Sequence, residues 1–364
     1  MIPALLRRAT ELVPVLKERA AAAERLRQIP PETVKDLIAS SLIRIGNPRR
    51  YGGLDADLDT IHEVSWELAR GCGSTAWCYS LWATHNWWLG HFPERAQDEF
   101  FADGPDTLFS SGLDPSRGTA EPVDGGFRVS GRWSYSSGCD AASWVMVATT
   151  PSDMLWLLLP RGDYEIVDTW FSSGLRGSGS KDVVVTDRFV PAHRAIHPDR
   201  AGDGEATGWT LHARPSYRPP LRCLTGWDLA APVIGMAQGA IDEVTARPRA
   251  AQSVALQLRV AEASAEVDAA RALQRADVRE ILDRAAREEP FTERDRARYR
   301  RDKAFVVKLS VQAVNRLFEA SGARGVLESE AIQRFHRDVH AASHHAALGW
   351  DAPAEHYGRL AMGP

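Results

Sequence analysis

The sequence predicts an α+β protein built as helices, then strands, then helices. Three observations carry this expectation. Apolar residues recur with a helical period over 1–105 and again over 227–364, whereas 106–196 holds short β-branched and leucine-rich runs separated by glycine-marked turns. Strands and helices do not alternate, which excludes a doubly wound dinucleotide-binding sheet. The 364 residues suffice for two or three substructures, each with its own core.

The elements follow in order. Charges interrupt 1–26 too often for a secretory leader, and the apolar positions suit an amphipathic helix. Pro30-Pro31-Glu32 starts a second helix with Val34, Leu37 and Ile38 on one face. Arg49 to Gly53 reads as a turn, and Asp59 as the cap of a helix with the stripe Ile61, Val64, Leu68. A mostly apolar helix covers 74–90 and a polar one 93–101. Strand runs follow at 127–130, 144–148, 154–159 and 182–190, spaced as in a small barrel or sandwich. Residues 197–226 read as a connecting loop. Beyond it come a helix from Trp227, a long stripe from Leu256 to Leu273, a helix around Phe305 to Phe318, and a last helix over 330–345.

Composition narrows the function. Hydrophobic residues make up 44% and charged residues 25%, and a net charge of -4 leaves no footprint for nucleic acid or an acidic membrane. No apolar run reaches the roughly 18 residues of a membrane span. The four cysteines form no CxxC pair and read as buried thiols in a reducing cytoplasm. Gly174 to Gly179 is not GxGxxG, and no Walker sequence, GxSxG elbow or HExxH is present. Five of the twelve tryptophans fall between Trp66 and Trp88, as a core filling or as the wall of a pocket for a flat ligand.

Three local patterns stand out. His336, His340 and His344 share a helical face, but no second cluster supplies further ligands, so no metal site is expected and an exposed or partner-facing stripe is the reading for the first two. His345 lies about one hundred degrees off that stripe, free to act as a base. Gly131 to Asp140 alternates aromatics with small hydroxyls, as Phe109 to Gly112 does on a smaller scale; either is a plain strand and turn or a strand edge set against a planar heterocycle. His85-Asn86-Trp87-Trp88 places polar groups within an apolar helix, where they need structural partners or a substrate.

Together these elements resemble the group D flavin monooxygenases, which share the acyl-CoA dehydrogenase shape. That family includes the oxygenase component of 4-hydroxyphenylacetate hydroxylase, steroid-ring hydroxylases and dibenzothiophene monooxygenases. The strings that carry the resemblance span nearly the whole chain: Ile29-Pro30-Pro31, Tyr51 to Leu54, Gly73 to Trp77, His85-Asn86-Trp87, Gly131 to Gly138, Gly174 to Ser180, Val190-Pro191, Ala231 to Ala237 and Arg337-Asp338-Val339. The resemblance implies a helical N-terminal domain, a central β domain and a C-terminal four-helix bundle. The parent dehydrogenases commonly place a glutamate base just after the arginine-aspartate pair; here the stretch is Ala342-Ser-His344-His345-Ala346, so His345, with His344 as the fallback, takes the place of a base.

The resemblance further implies reduced flavin (FMNH2 or FADH2), O2 and a C4a-hydroperoxyflavin that hydroxylates a phenolic or polycyclic aromatic. Trp133, Ser136 and Ser137 would lie against the isoalloxazine, with a serine near N5. Ser110 and Ser111 would line the flavin edge, Ser178 or Ser180 would lie near its phosphate-bearing tail, and Arg324 would reach it from a neighbouring subunit. His85, Trp82, Trp88 and His344 would contact substrate. Arg249 is a further candidate for the flavin phosphate. A separate NAD(P)H:flavin reductase and a homotetramer are implied as well. Oxygenation of nitrogen or sulfur, an acyl-CoA dehydrogenase or oxidase, and a catalytically inactive scaffold are the competing readings.

Overall fold

The computed structural model describes residues 2–150, 154–200, 207–248 and 253–363; Arg249 lies outside them. Helices α1 (Ile2–Leu26) and α2 (Pro31–Ala39) open the chain. Pro31 sits at the first helical position, where its missing N–H costs nothing, and Leu37 is fully buried. Helix α3 (Leu58–Ala69) begins before the expected cap: Asp57 holds the cap position, and Asp59 lies in the first turn. Helix α4 (Gly73–Leu89) is buried along its entire length, because α1, α3, a β-sheet and the C-terminal bundle meet it on different sides. A helix apolar all round can only be stable in such a place. Helix α5 (Glu94–Phe100) completes the first segment.

The strands form two four-stranded sheets that pack as a sandwich. One orders β1 (Phe109–Gly112), β4 (Trp144–Thr149), β5 (Leu155–Pro160) and β8 (Ala195–Ile196). The other orders β2 (Gly118–Val123), β3 (Gly126–Ser136), β7 (Lys181–Pro191) and β6 (Glu165–Val167), all antiparallel. The first sheet has no face in water. Val145, Val147, Leu157 and Leu159 point into the sandwich, while Trp144, Met146, Ala148 and Leu158 point into the helical core. That double burial is why β4 and β5 read as unbroken apolar runs.

Trp133 is fully buried in the sandwich, its indole N–H donating to the Ala148 carbonyl at 2.8 Å. Gly118 on the adjacent strand leaves room for the ring; a Cβ there would come within 2.1 Å of it.

Residues 197–226 are more ordered than expected of a loop. Among the described ones, α6 (Thr207–His212) and α7 (Leu221–Leu224) form, and between them Tyr217 is buried against Trp87 at 5.3 Å. Closely spaced Pro and Gly hide such short helices from a periodicity reading. The C-terminal segment bundles α8 (Trp227–Thr245), α9 (Val254–Ala286), α10 (Glu293–Ala320) and α11 (Ala331–Ser343). A reciprocal cap between Thr292 and Asp295 starts α10. Helix α11 is not the last: α12 (Asp351–Met362) packs on α10 and buries no residue fully, so its apolar signal is weak. His336 and His340 turn toward α10 rather than to solvent. His336 stacks on Phe318 at 4.1 Å, and His340 Nε2 meets Asn315 Oδ1 at 2.8 Å. No helix among the described residues is long and apolar enough to cross a membrane.

Gly118→Ala is expected to lower stability by about 2 kcal/mol, the cost of forcing a methyl into a filled core. Urea unfolding measures it; an unchanged midpoint would show that the sandwich can open around Trp133.

Candidate active site

Helix α4 frames the site. Trp77 and His85 lie eight residues apart, about 12 Å along the axis, and each anchors a polar cluster. At the Trp77 end the indole N–H donates to Ser137 Oγ at 3.1 Å. Ser137 Oγ lies 2.7 Å from Ser180 Oγ, which lies 2.6 Å from Ser178 Oγ. The result is a chain of three hydroxyls, and the Gly138 N–H donating to the Ser178 carbonyl at 2.8 Å fastens the two loops that carry it.

At the other end His85 is buried between Phe109 and Trp88, with ring centroids at 5.0 and 4.9 Å. Its Nδ1 lies 3.2 Å from the Phe109 carbonyl, which can only accept, so Nδ1 carries the proton. Nε2 is then the acceptor for the Ser111 hydroxyl at 3.2 Å. Burial pushes the imidazole down to about 4, so it stays neutral at physiological pH.

His345 stands just past the end of α11, its ring edge-on to Trp77 at 5.9 Å. Its Nδ1 accepts from the Ala347 N–H at 3.1 Å, which leaves the proton on Nε2. The surrounding protein, and then the Lys303 ammonium, push it down to about 4. Part of the ring is still open to solvent, which tempers the size of the shift but not its direction toward the neutral form. A neutral His345 in this geometry presents an N–H donor. In this geometry the backbone amide occupies the Nδ1 lone pair, so the ring meets a partner as a donor where the sequence expectation was a base.

The loop bearing Ser178 and Ser180 is pinned by Asp338. This buried carboxylate accepts from the Leu175 N–H at 2.6 Å, and burial pushes its own pKa up to about 7. Arg337 donates to the Ser173 carbonyl at 2.8 Å and pairs with Glu24. A Cβ on Gly174 would sit 2.0 Å from the Arg337 carbonyl, so backbone meets backbone there.

The structure thus gathers Ser137, Ser178, Ser180 and His345 around Trp77, and Ser111, Trp88 and His85 around Phe109. Among the described residues the buried hydroxyls of Ser110 and Ser136 have no partner, nor has the indole N–H of the buried Trp82. Three sequence expectations change. Trp133 faces the sandwich interior and not an open surface. Ser180 bonds Ser137 and Ser178 bonds Ser180, so the three hydroxyls form one cluster rather than separate contacts for a ring and a tail. His344 bonds the His340 carbonyl at 2.8 Å and is exposed, apart from the His85 cluster. Arg324 is also exposed and pairs with Glu330 at 2.5 Å. Trp77 was missed as a site residue, although its spacing from His85 placed both on one side of a helix. Among the described residues no group of three or more His, Cys, Asp or Glu side chains is placed to hold a metal.

Residues 228–350 match the family model for the acyl-CoA dehydrogenase C-terminal domain. The flavin-dependent monooxygenase oxygenase subunit HsaA of Mycobacterium tuberculosis is 39% identical, over 92% of this chain and 89% of that protein. The chain belongs to the flavin-dependent monooxygenase oxygenases. A FADH2-dependent resorcinol hydroxylase oxygenase component of Rhizobium is 33% identical over 99% of this oxygenase and 94% of its own length. The crystal structure of the M. tuberculosis HsaA monooxygenase superposes with a TM-score of 0.94 at 36% identity, covering 99% of each chain. Streptomyces XiaF, solved with FADH2 and glycerol, superposes at 0.90 with 29% identity, covering 98% of this chain and 94% of that one.

The site fits a flavin ring. Its polar lining is neutral hydroxyls and indole N–H groups, and the Ser136 hydroxyl and Trp82 N–H have bonding capacity unused among the described residues. Buried neutral donors left unfilled call for a partner with acceptors on its edge, as the ring nitrogens and carbonyls of a flavin are.

Asp338→Ala is expected to cost about 1–3 kcal/mol, since the buried Leu175 N–H loses its acceptor, and Asp338→Asn less, since the amide oxygen replaces it. Equal losses in both variants on urea unfolding would show that the charge and not the bond matters.

Proposed function

We propose that this oxygenase hydroxylates a phenolic small molecule with reduced flavin and O2, and that the His85–Ser111 pair holds the substrate hydroxyl. The pair carries the reading: a neutral acceptor behind an exchangeable hydroxyl, set in an aromatic wall, suits a phenol and little else. The relatives named for resorcinol and p-hydroxyphenylacetate hydroxylation support it. So does the absence of a carboxylate across 342–346, where a dehydrogenase of this shape commonly places its base.

The flavin, when bound, supplies the oxygen-activating chemistry. The chain does the rest. Ser111 accepts the substrate O–H while donating its own proton to His85 Nε2. Full transfer from a phenol to an imidazole held near 4 is uphill by about 8 kcal/mol, so the pair polarises the ring and does not ionise it at rest. His345 points its Nε2–H at an oxygen that gains charge as the reaction proceeds. Ser137, oriented by Trp77 and Ser180, and Ser136 offer hydroxyls to the ring nitrogens of the cofactor. Trp82, Trp88 and Phe109 keep water out.

Reduced flavin comes from a separate NAD(P)H-dependent reductase, in keeping with the resorcinol and p-hydroxyphenylacetate hydroxylase relatives, which are oxygenase components. Arg324, exposed on its loop, reaches a flavin only from a neighbouring copy, in keeping with a homotetramer. Four buried, unbridged cysteines suit a reducing cytoplasm.

Two tests follow. With FADH2, 18O2 and a phenol series, wild type is expected to place one 18O in the product; His85→Ala and His345→Ala are each expected to lower product at least tenfold while flavin oxidation continues. Unchanged product yield in a variant removes that residue from the mechanism. The kcat/KM profile is expected to show no break near pH 6.5, because burial holds His85 neutral down to about 4 and His345 is shifted in the same direction. A half-maximal point at 6.5 that disappears in His345→Ala would mean that its imidazole titrates normally.

A further inference from the structure

Two opposite charges are buried beside the candidate site, joined by a peptide unit rather than by an ion-pair contact. Lys303 of α10 is 7% exposed and Asp228 of α8 is 1% exposed. The Lys303 ammonium donates to the Thr225 carbonyl at 2.7 Å, and the Gly226 N–H of that same peptide unit donates to Asp228 Oδ1 at 2.8 Å. Glycine permits this approach: its φ is +89°, and a Cβ would lie 2.6 Å from the ammonium nitrogen. Asp228 is anchored in turn, its own carbonyl accepting from Ser80 Oγ of α4 at 2.6 Å. Asp228 Oδ2 has no hydrogen-bond partner among the described residues. A buried carboxylate left so open needs a compensating cation, and Lys303 supplies it.

The same lysine lies beside the turn that orients His345. Lys303, Ala346 and Ala347 line one cavity of about 410 Å³, and the Ala347 N–H is the group that fills the His345 Nδ1 lone pair. The other charged groups at this cavity are Arg222 of α7, Arg300 of α10 and Asp351 of α12. Arg222 is engaged by Asp199. On α11, His344 is turned to the His340 carbonyl, and α4 presents the neutral Trp77. Lys303 is the charge that bears on the His345 ring, while Arg300 and Cys223 bear on Lys303 itself.

We propose that Lys303 is the positioning residue of His345 and that Asp228, through the Thr225–Gly226 peptide, holds it in that role. An ammonium at this place bars a second positive charge on the imidazole. It also makes the Nε2–H a stronger donor toward an oxygen that gains negative charge. Asp228 keeps the lysine protonated in a setting that would otherwise strip its proton. The inference rests on the donor role of His345 proposed above and adds the charge that enforces it.

The test is 13C NMR of the full chain labelled at histidine Cε1, with His345→Asn assigning the resonance. Burial pushes the Lys303 ammonium down to about 8, so the wild-type His345 signal is expected to step near that pH while the ring itself stays neutral. Lys303→Met is expected to abolish the step and to raise the ring's proton affinity about tenfold. Lys303→Arg is expected to keep that affinity low with no step, and Asp228→Asn to move the step to lower pH. No step in wild type, a step that survives Lys303→Met, or an unchanged ring affinity in that variant overturns the proposal. The wild-type step reads the coupling even where a variant of a buried residue fails to fold. Activity separates the two readings. A tenfold loss of product in His345→Ala with a His345 signal blind to Lys303 defeats the coupling alone. The expected titrations with full product yield in His345→Ala support the coupling and defeat the donor role.

Discussion

One buried bond, from the Leu175 N–H to the Asp338 carboxylate, holds the strand segment and the helical bundle in register. Leu175 is not a glycine, yet its φ is +49°, a conformation that persists only where the surroundings fix it. They do: Gly174 lies against the α11 backbone, and Gly177 against Ala23 and Ser74. Three helices from two ends of the chain thereby clamp a short loop whose next residues are Ser178 and Ser180. The hydroxyl chain to Ser137 exists because that loop has nowhere else to go.

A second constraint is electrical neutrality. His85 and His345 are both kept uncharged, and each has its tautomer set by a backbone group: a carbonyl for one, an amide for the other. One therefore presents an acceptor through Ser111 and the other a donor. Two histidines of opposite function can face one chemistry without exchanging roles, because backbone atoms that cannot titrate decide which nitrogen is free.

Much of this was legible in the sequence. The helix–strand–helix order and the buried character of 74–90 follow from period and composition, while the candidate residues on Phe109 to Gly112, Gly131 to Gly138 and the end of α11 come from the family resemblance. What escaped depends on direction rather than type. Trp133 looks like a ligand-facing aromatic until the sheet turns it inward. Ser178 and Ser180 could be given to a different part of a cofactor only while their contact with Ser137 was unseen. The donor character of His345 hangs on a backbone amide two residues away, which no residue pattern encodes. Lys303 is one of 44 basic residues, and nothing in its neighbours' identities announces that it is buried. Helix α12 left too faint an apolar stripe.

The sheet of β1, β4, β5 and β8 has a consequence for modularity. Because one of its faces is completed by the helical domains and the other by its partner sheet, the strand segment is not a portable unit. Excised at its linkers, it would carry Trp144, Met146, Ala148 and Leu158 bare into water, an adhesive surface of the kind that drives misassembly. The helices cannot be traded for unrelated ones either, since they form half of that interior. Recombination within this architecture must move whole chains, and new specificity has to arise by point changes in the cavity walls.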